Sequence, residues 1–224
     1  EGSHGDIHSF LLAALPILKY LYRDVFGQVA PGYRLTQLLF DMTFGPSFKW
    51  AMIIVGALSV SCTYALIVIS EKFGARPWAI AAGVLLFIGL PQFSQVQQWW
   101  AAAVHTIFSF TLLMWALTAS VSRLRWRVVW MTVCYAGALT FTAKSVCFPV
   151  IAAAVIYFRE HQNNASTRDA MKTMARELIP LVILTILYLI LVKLVGPTSY
   201  PTKPSLPELW HYTTVMLVES LFGG

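Results

Sequence analysis

One stretch of the chain decides the class of fold: residues Phe48–Ser70 read FKWAMIIVGALSVSCTYALIVIS. Lys49 is the only charged residue among these 23. A straight helix needs about 20 predominantly apolar residues to cross the hydrocarbon core of a bilayer. The stretch is long enough and apolar enough for that, and it therefore predicts a transmembrane helix.

The composition of the whole chain agrees with this interpretation. Of its 224 residues, 58% are hydrophobic and 12% are charged, and the mean hydropathy is +0.67. Soluble domains average about 45–50% apolar and about 25% charged residues, and a small domain cannot bury such a surplus in one core. A soluble enzyme, a disordered protein and a disulfide-stapled secreted domain are excluded. We expect an all-α, polytopic transmembrane helix bundle in the plasma membrane, with Cys62, Cys134 and Cys147 as small buried hydrophobic residues.

Proline, glycine and charged residues divide the rest of the apolar sequence into further runs. The first, third and last runs reach the length of a full crossing, whereas the others are shorter. The six predicted spans are Phe48–Ser70, Pro77–Phe93, Trp100–Val121, Val128–Ala143, Val146–Phe158 and Leu178–Gly196.

Basic residues are unevenly distributed between the connections. Nine of the 16 lysines and arginines follow the first, third and fifth spans. Because cytoplasmic loops carry an excess of Lys and Arg, we expect these three loops in the cytoplasm. The net charge of +6 and the pI of about 9.4 then reflect topology and not nucleic-acid binding. The nine residues are Lys72, Arg76, Arg123, Arg125, Arg127, Arg159, Arg168, Lys172 and Arg176.

This distribution also predicts the structure of Val128–Phe158. A single long helix would place the flanking basic loops on opposite sides, so an even number of crossings is favoured. The segment is predicted to be a short hairpin with Lys144 at its outer tip. Whether its two arms cross fully or form a re-entrant pair is left open by the sequence.

The chain is thus divided into an outer loop (1–47), a bundle (48–196) and an outer proline-rich linker with an amphipathic helix (197–224). Helical spacing of apolar residues predicts interfacial helices at Ser9–Phe26 and Leu35–Phe44, the second one after a turn at Ala30-Pro31-Gly32, and a further helix at Leu206–Phe222. Both ends look cut, so we expect a part of a larger membrane protein.

Two polar residues lie near the start of the outer loop, in His4-Gly5-Asp6-Ile7-His8. A carboxylate just outside a membrane can deprotonate an acceptor hydroxyl or bind a divalent metal ion, and His8 could be a further metal ligand. The alternative is a hydrated loop without function.

Lys144 and Arg34 are the candidate cations on the same side. A lysine at an outer hairpin tip can pair with a lipid phosphate, or it can simply extend to the headgroups. Arg34 offers similar chemistry.

Trp99, Trp100 and His105 open the third span. Paired tryptophans are typical of the aromatic belt at a membrane surface. The alternative is a sugar or polyprenyl site lined by indoles, with His105 facing inward, since a histidine within a span is unusual.

Several motifs occur in the order found in a known superfamily. They are Asp6 early in the outer loop, Ala30-Pro31-Gly32-Tyr33-Arg34-Leu35, Trp99-Trp100-Ala101-Ala102-Ala103-Val104-His105, and Phe141-Thr142-Ala143-Lys144-Ser145 before Pro149. The chain resembles the actinobacterial polytopic membrane proteins of the GT-C glycosyltransferase superfamily over most of residues 6–196.

The resemblance implies transfer of a sugar from a polyprenyl-phosphate-linked donor to an envelope glycan or lipid acceptor, on the non-cytoplasmic face. It implies Asp6 as the general base and Lys144 near the lipid phosphate. Two positions depart from the pattern: Gly5 stands in place of a second acid, and Ala143 stands where related sequences often have Glu. These departures leave metal dependence open.

Two other classes of function are weighed against the transferase. A non-catalytic scaffold or lipid-binding subunit of an envelope-biogenesis membrane complex fits the small number of polar residues. A transporter is disfavoured, because transporters show broken helices and polar groups near the midplane, and only the short hairpin hints at these.

Overall fold

The computed structural model describes residues 30–45, 47–89 and 104–195. Within these ranges 89% of the residues are helical and none lies in a strand, so the all-α prediction is confirmed for them. A π-helical turn, Val104–Phe108, leads into α4, and a 3-10 turn, Ala143–Cys147, joins α5 to α6. The α-helices are α1 (Pro31–Phe44), α2 (Phe48–Lys72), α3 (Pro77–Gly89), α4 (Ser109–Val121), α5 (Arg127–Phe141), α6 (Phe148–Gln162) and α7 (Thr167–Val195).

Two of the described helices are long and apolar enough to cross a membrane: α2, and α7 over Thr167–Leu194. Helices α3 and α5 and the segment Thr106–Val121 are apolar but shorter. The outward faces carry many exposed aliphatic side chains, for example Leu85 and Leu86 at 72% and 73% exposure. A bilayer crossing by all six spans stays a prediction. The predicted helices Ser9–Phe26 and Leu206–Phe222 lie outside the described residues.

The connections between the helices meet at two opposite ends of the bundle. At one, which we call the arginine end, Gln162 Nε2 of α6 donates to the carbonyl oxygen of Phe73 just after α2 (3.2 Å), and Arg159 donates to the carbonyl oxygen of Ser120 in α4. At the other, the Lys144 end, α1, the π-helical turn and the 3-10 turn gather around the end of α5. The helices therefore alternate in direction between two distinct faces.

The core lies between α4, α5, α6 and α7. Met131, Tyr135, Ile156 and Leu181 are fully buried there. The Tyr135 ring stacks on Phe148 with 5.3 Å between centroids. Its buried hydroxyl needs a polar partner, and it has one in Thr185 Oγ1 at 2.6 Å. One aromatic side chain thus ties α5 to both α6 and α7.

The hairpin predicted at Val128–Phe158 is present as α5 and α6. Thr142 is extended (φ −153°, ψ 138°) and ends α5. Pro149 lies in the first turn of α6, where its missing N–H is tolerated, but it could not continue a helix from α5. Each arm has 15 residues, or about 22 Å at 1.5 Å per residue, which is less than the roughly 30 Å of a hydrocarbon core.

Two helix starts differ from the prediction. Ala30-Pro31-Gly32 is not a turn before the helix, because α1 already begins at Pro31, whose fixed φ suits the first helical position. Helix α7 begins at Thr167 and not at Leu178. The side chain of Ser166 bonds the backbone N–H (3.2 Å) and the carboxylate (2.7 Å) of Asp169, which favours a helix start there.

The cysteine prediction is correct only in part. Cys62 is buried and Cys134 is half-buried, but Cys147 is exposed in the 3-10 turn, because it lies at the hairpin tip and not within an arm. All three thiols are free.

The prediction that the nine basic residues lie in loops is wrong for six of them: helices contain Lys72, Arg127, Arg159, Arg168, Lys172 and Arg176. Arg127 and Arg159 are, in addition, paired across the bundle. Both lie in helices and bind the carboxylate of Glu177 in α7: Arg127 donates to Oε1, and Arg159 donates to Oε2 at 3.2 Å and to Oε1 at 3.1 Å. The Arg159 side chain also pairs with Glu160 and is only 9% exposed, and that of Glu177 is 5% exposed. A charge this deeply buried persists only when it is paired. The cluster therefore fixes α5, α6 and α7 at the arginine end.

We expect Glu177→Gln to lower the free energy of unfolding by about 3 kcal/mol, because it leaves two arginines near the core without their shared carboxylate. Thermal unfolding in detergent would be followed by thiol labelling of the buried Cys62, with Cys134 and Cys147 replaced by serine. Glu71→Gln is the matched control, since Glu71 is exposed and forms no ion pair with a described residue. Equal labelling profiles for the two variants would contradict the role of Glu177.

Close approach of α1 to α5 depends on Gly32. A Cβ at this position would contact the Thr140 side chain and lie 3.1 Å from the Thr140 carbonyl oxygen. We expect Gly32→Ala to destabilise the fold by about 1–3 kcal/mol, because backbone has to shift. The same labelling assay measures this, with Gly56→Ala as control: nothing lies within 4 Å of that site, and alanine is the better helix former. A Gly32→Ala variant as stable as wild type would show that α1 is not held against α5.

Candidate functional site

The structure describes three of the seven predicted site residues, Arg34, Lys144 and the backbone of His105. All three lie at the Lys144 end: Arg34 in the first turns of α1, His105 in the π-helical turn, and Lys144 in the 3-10 turn. Asp6, His8, Trp99 and Trp100 lie outside the described residues. Arg34 and Lys144 therefore lie at the same end of the bundle, whereas the outward orientation of that end and the position of Asp6 stay predictions.

Lys144 is presented by a firmly anchored turn. Its own side chain is exposed, and its backbone N–H donates to Thr142 Oγ1 (3.4 Å). Ser145, the next residue, is buried; its hydroxyl bonds Ser109 Oγ at 2.8 Å and donates to the Ala138 carbonyl oxygen at 3.2 Å. Because these bonds fix the backbone, the ammonium group can move only through its side-chain torsions.

Arg34 is positioned by a small aromatic cluster. Its neighbour Tyr33 is buried against Val104 and Phe141, and Phe141 stacks on Phe108 with 5.3 Å between centroids. This cluster joins α1, the π-helical turn and the end of α5. The guanidinium and the ammonium group of Lys144 are consequently carried by elements that pack together.

The π-helical turn Val104–Phe108 places His105 at the start of α4. Single π-helical turns are rare in proteins, and those that occur are often found at functional sites. Each inserts one extra residue into the helix and so changes the direction of the neighbouring side chains. Val104 and Ile107 from this turn are buried in the bundle. The backbone of His105 therefore belongs to an irregular element of the Lys144 end, which the sequence did not predict.

An apolar groove runs from this end between α5 and α7. Its volume is about 220 Å³. At the Lys144 end it is lined by Pro31 and Thr140, close to the 3-10 turn. Sequence reasoning missed it: the spacing of Leu184, Leu187 and Leu191 predicts one face of α7, but their position opposite Ala136 follows only from the packing of α7 on α5. The remaining lining residues are Leu139 and Tyr188.

A metal site finds no support in this part of the structure. Among the described residues no group of three or more His, Cys, Asp or Glu side chains is placed to bind a metal ion. The predicted ligands Asp6 and His8 are not among them. Arg34 and Lys144 instead make the described part of the Lys144 end suitable for an anion.

Comparisons of the chain with protein-family models, with curated proteins and with solved structures gave no match. The resemblance to GT-C glycosyltransferases therefore stays a prediction. The features that bear on function are the groove between α5 and α7, the cations Arg34 and Lys144, and the exposed apolar surface.

Proposed function

We propose that the chain is a multi-pass membrane protein that binds a polyprenyl-phosphate-linked sugar at the Lys144 end and transfers the sugar to an envelope acceptor. The observation that carries the proposal is the apolar groove that ends beside a cationic turn. A lipid-linked donor has the same two-part chemistry, an isoprenoid tail and a phosphate.

The membrane setting rests on the outward surface of the helices. Helices α2 and α7 have the length and composition of spans, and Val60, Leu86 and Val150 on three different helices are at least 70% exposed. In water such surface would promote association, whereas in a bilayer it meets lipid. The excess of basic residues at the arginine end favours a cytoplasmic position for that end, and the proposal has the Lys144 end facing outward.

Donor binding divides into two parts. The isoprenoid tail occupies the groove between Ala136 of α5 and Leu187 of α7. There the tail contacts apolar side chains and stays shielded from water. The phosphate lies at the mouth of the groove within reach of Lys144 and Arg34. A lysine ammonium is a compact cation, and a guanidinium offers several donors to phosphate oxygens.

The chemistry assigned to the site is an inverting displacement. Asp6 takes the proton from an acceptor hydroxyl, the oxygen attacks the anomeric carbon, and the bond from that carbon to the phosphate oxygen breaks. Negative charge then develops on the departing polyprenyl phosphate. Lys144 and Arg34 stabilise that charge, because fixed cations act most strongly where charge appears in the transition state. His105, Trp99 and Trp100 are assigned to the sugar.

We expect Asp6→Asn to lower sugar transfer at least about 100-fold, because a general base contributes roughly that much or more. The assay uses the intact chain in proteoliposomes with a panel of radiolabelled polyprenyl-phosphate pentoses and hexoses. Thermal unfolding should be unchanged, since the amide replaces the carboxylate at almost the same volume.

Asp41→Asn is the matched control for this test. Asp41 is exposed on α1 within the same predicted outer loop, and its variant should transfer sugar at the wild-type rate. Wild-type transfer by Asp6→Asn would eliminate Asp6 as the base. Donor binding without transfer by the wild-type chain would favour the lipid-binding subunit over the enzyme.

The groove is tested separately by Ala136→Phe, which fills it with an aromatic ring. We expect binding of undecaprenyl phosphate, measured by native mass spectrometry in detergent, to weaken at least about tenfold. That factor is about 1.4 kcal/mol, or the burial of roughly two methylene groups.

Ala154→Phe is the control, because Ala154 is an exposed alanine of α6 that does not line the groove. It introduces the same ring with little effect on lipid binding. Unchanged binding by Ala136→Phe would show that the tail lies elsewhere.

A further inference from the structure

The arginine end contains a cleft of its own, which the proposed function does not use. It lies where the ends of α2, α4 and α6 meet the start of α5, and its volume is about 280 Å³. Ligand pockets start near about 300 Å³, so the cleft has the size of a small polar group. Its lining residues are Lys72, Phe73, Val121, Ser122, Arg123, Arg127, Arg159, Gln162 and Asn163.

The charges around this cleft do not balance. Four of its lining residues are cations, and none is an acid. The carboxylates that reach them are Glu177, shared by Arg127 and Arg159, and Glu160, which pairs with Arg159. Two positive charges stay uncompensated among the described residues, and like charges around one cleft repel each other unless an anion lies between them.

The uncompensated cations are Lys72 and Arg123. Both are exposed, and neither forms a hydrogen bond or ion pair with a described residue. They come from different connections: Lys72 ends α2, and Arg123 follows α4. The paired Arg127 and Arg159 form a rigid inner wall, because Glu177 fixes their guanidinium groups, so the two outer cations can close on a ligand without moving the helices.

The surroundings of the cleft indicate where its ligand comes from. Trp126 and Trp130 are exposed at the start of α5, and Trp78 is exposed at the start of α3. Tryptophan at helix ends is typical of the level of lipid headgroups. Basic pockets between helices on the cytoplasmic side are suited to anionic headgroups.

We propose that the cleft of Lys72, Arg123, Arg127 and Arg159 binds the phosphate group of an anionic ligand, supplied by a lipid headgroup of the cytoplasmic leaflet. Lys72 and Arg123 contact the phosphate oxygens directly, and the paired Arg127 and Arg159 form the wall behind them. This site lies at the opposite end of the bundle from the proposed donor site. It does not depend on sugar transfer, and it stands if the transferase proposal fails.

The test compares two double variants of the intact chain in detergent. Lys72→Gln with Arg123→Gln removes both outer cations of the cleft. Arg76→Gln with Arg125→Gln is the matched control: it removes one cation from each of the same two connections, both exposed and both outside the cleft lining. Arg127 and Arg159 are left intact because they hold Glu177.

Binding of dioleoylphosphatidylglycerol is measured by native mass spectrometry, with dioleoylphosphatidylcholine as the neutral lipid. Because Lys72 and Arg123 bond the phosphate oxygens directly, whereas Arg76 and Arg125 act only through screened surface charge, the cleft variant should bind phosphatidylglycerol at least about tenfold more weakly. The control variant should stay within about twofold of wild type. A parallel calorimetric titration with inorganic phosphate asks whether the phosphate group alone is sufficient.

The outcomes separate clearly. A loss of binding that is specific to the cleft variant supports the site. If phosphatidylglycerol binding is lost, the source of the phosphate is a lipid. If only binding of inorganic phosphate is lost, the site takes its phosphate from solution. Equal losses in both double variants would overturn the proposal, because diffuse positive charge would then account for binding. Undiminished binding of both probes by the cleft variant would overturn it as well.

Discussion

The contact on which the rest of the structure depends is the carboxylate of Glu177 between two arginines. It receives Arg159 from α6 and Arg127 from α5, while Arg159 also reaches the Ser120 carbonyl of α4. Glu177 thus joins α5, α6 and α7 at the arginine end, and Arg159 extends the cluster to α4. The opposite end is joined by aromatic contacts around Phe141 and by the hydrogen bonds of Ser145 to Ser109 and Ala138. Ion pairs thus hold one end of the bundle, and neutral contacts hold the other.

Much of the helical layout could be predicted because it follows from local chemistry. The uncharged run after Lys49 predicted α2 within two residues of its observed end, and the balance of basic loops predicted a break at Lys144 in place of a long helix. The observed break begins two residues earlier, at the extended Thr142. Starts were less predictable. Pro31 is compatible with a turn or with a first helical position, and the charges of the first third of α7 masked its helix.

The pairing of charges and the cavities could not be predicted, since both depend on distances between elements far apart in sequence. Glu177 lies 50 residues from Arg127, and nothing in the local sequence distinguishes it from a solvated acid. The groove between α5 and α7 exists because Ala136 is small where leucines of α7 approach. Arg34 and Lys144 were expected on one face by topology alone, and the cluster around Tyr33 is what brings α1 to the end of α5.

The short α5–α6 hairpin has a consequence for the surrounding lipid. Helix α2, with 25 residues, is about 37 Å long, whereas each arm of the hairpin is some 15 Å shorter. In the proposed bilayer, lipids beside α2 meet an ordinary hydrophobic thickness, but those beside the hairpin must compress or tilt to match it. The membrane is then thinner beside α5 and α6 than beside α2. There, headgroups of both leaflets are drawn towards the midplane, which shortens the path that a polar group has to travel along the protein surface.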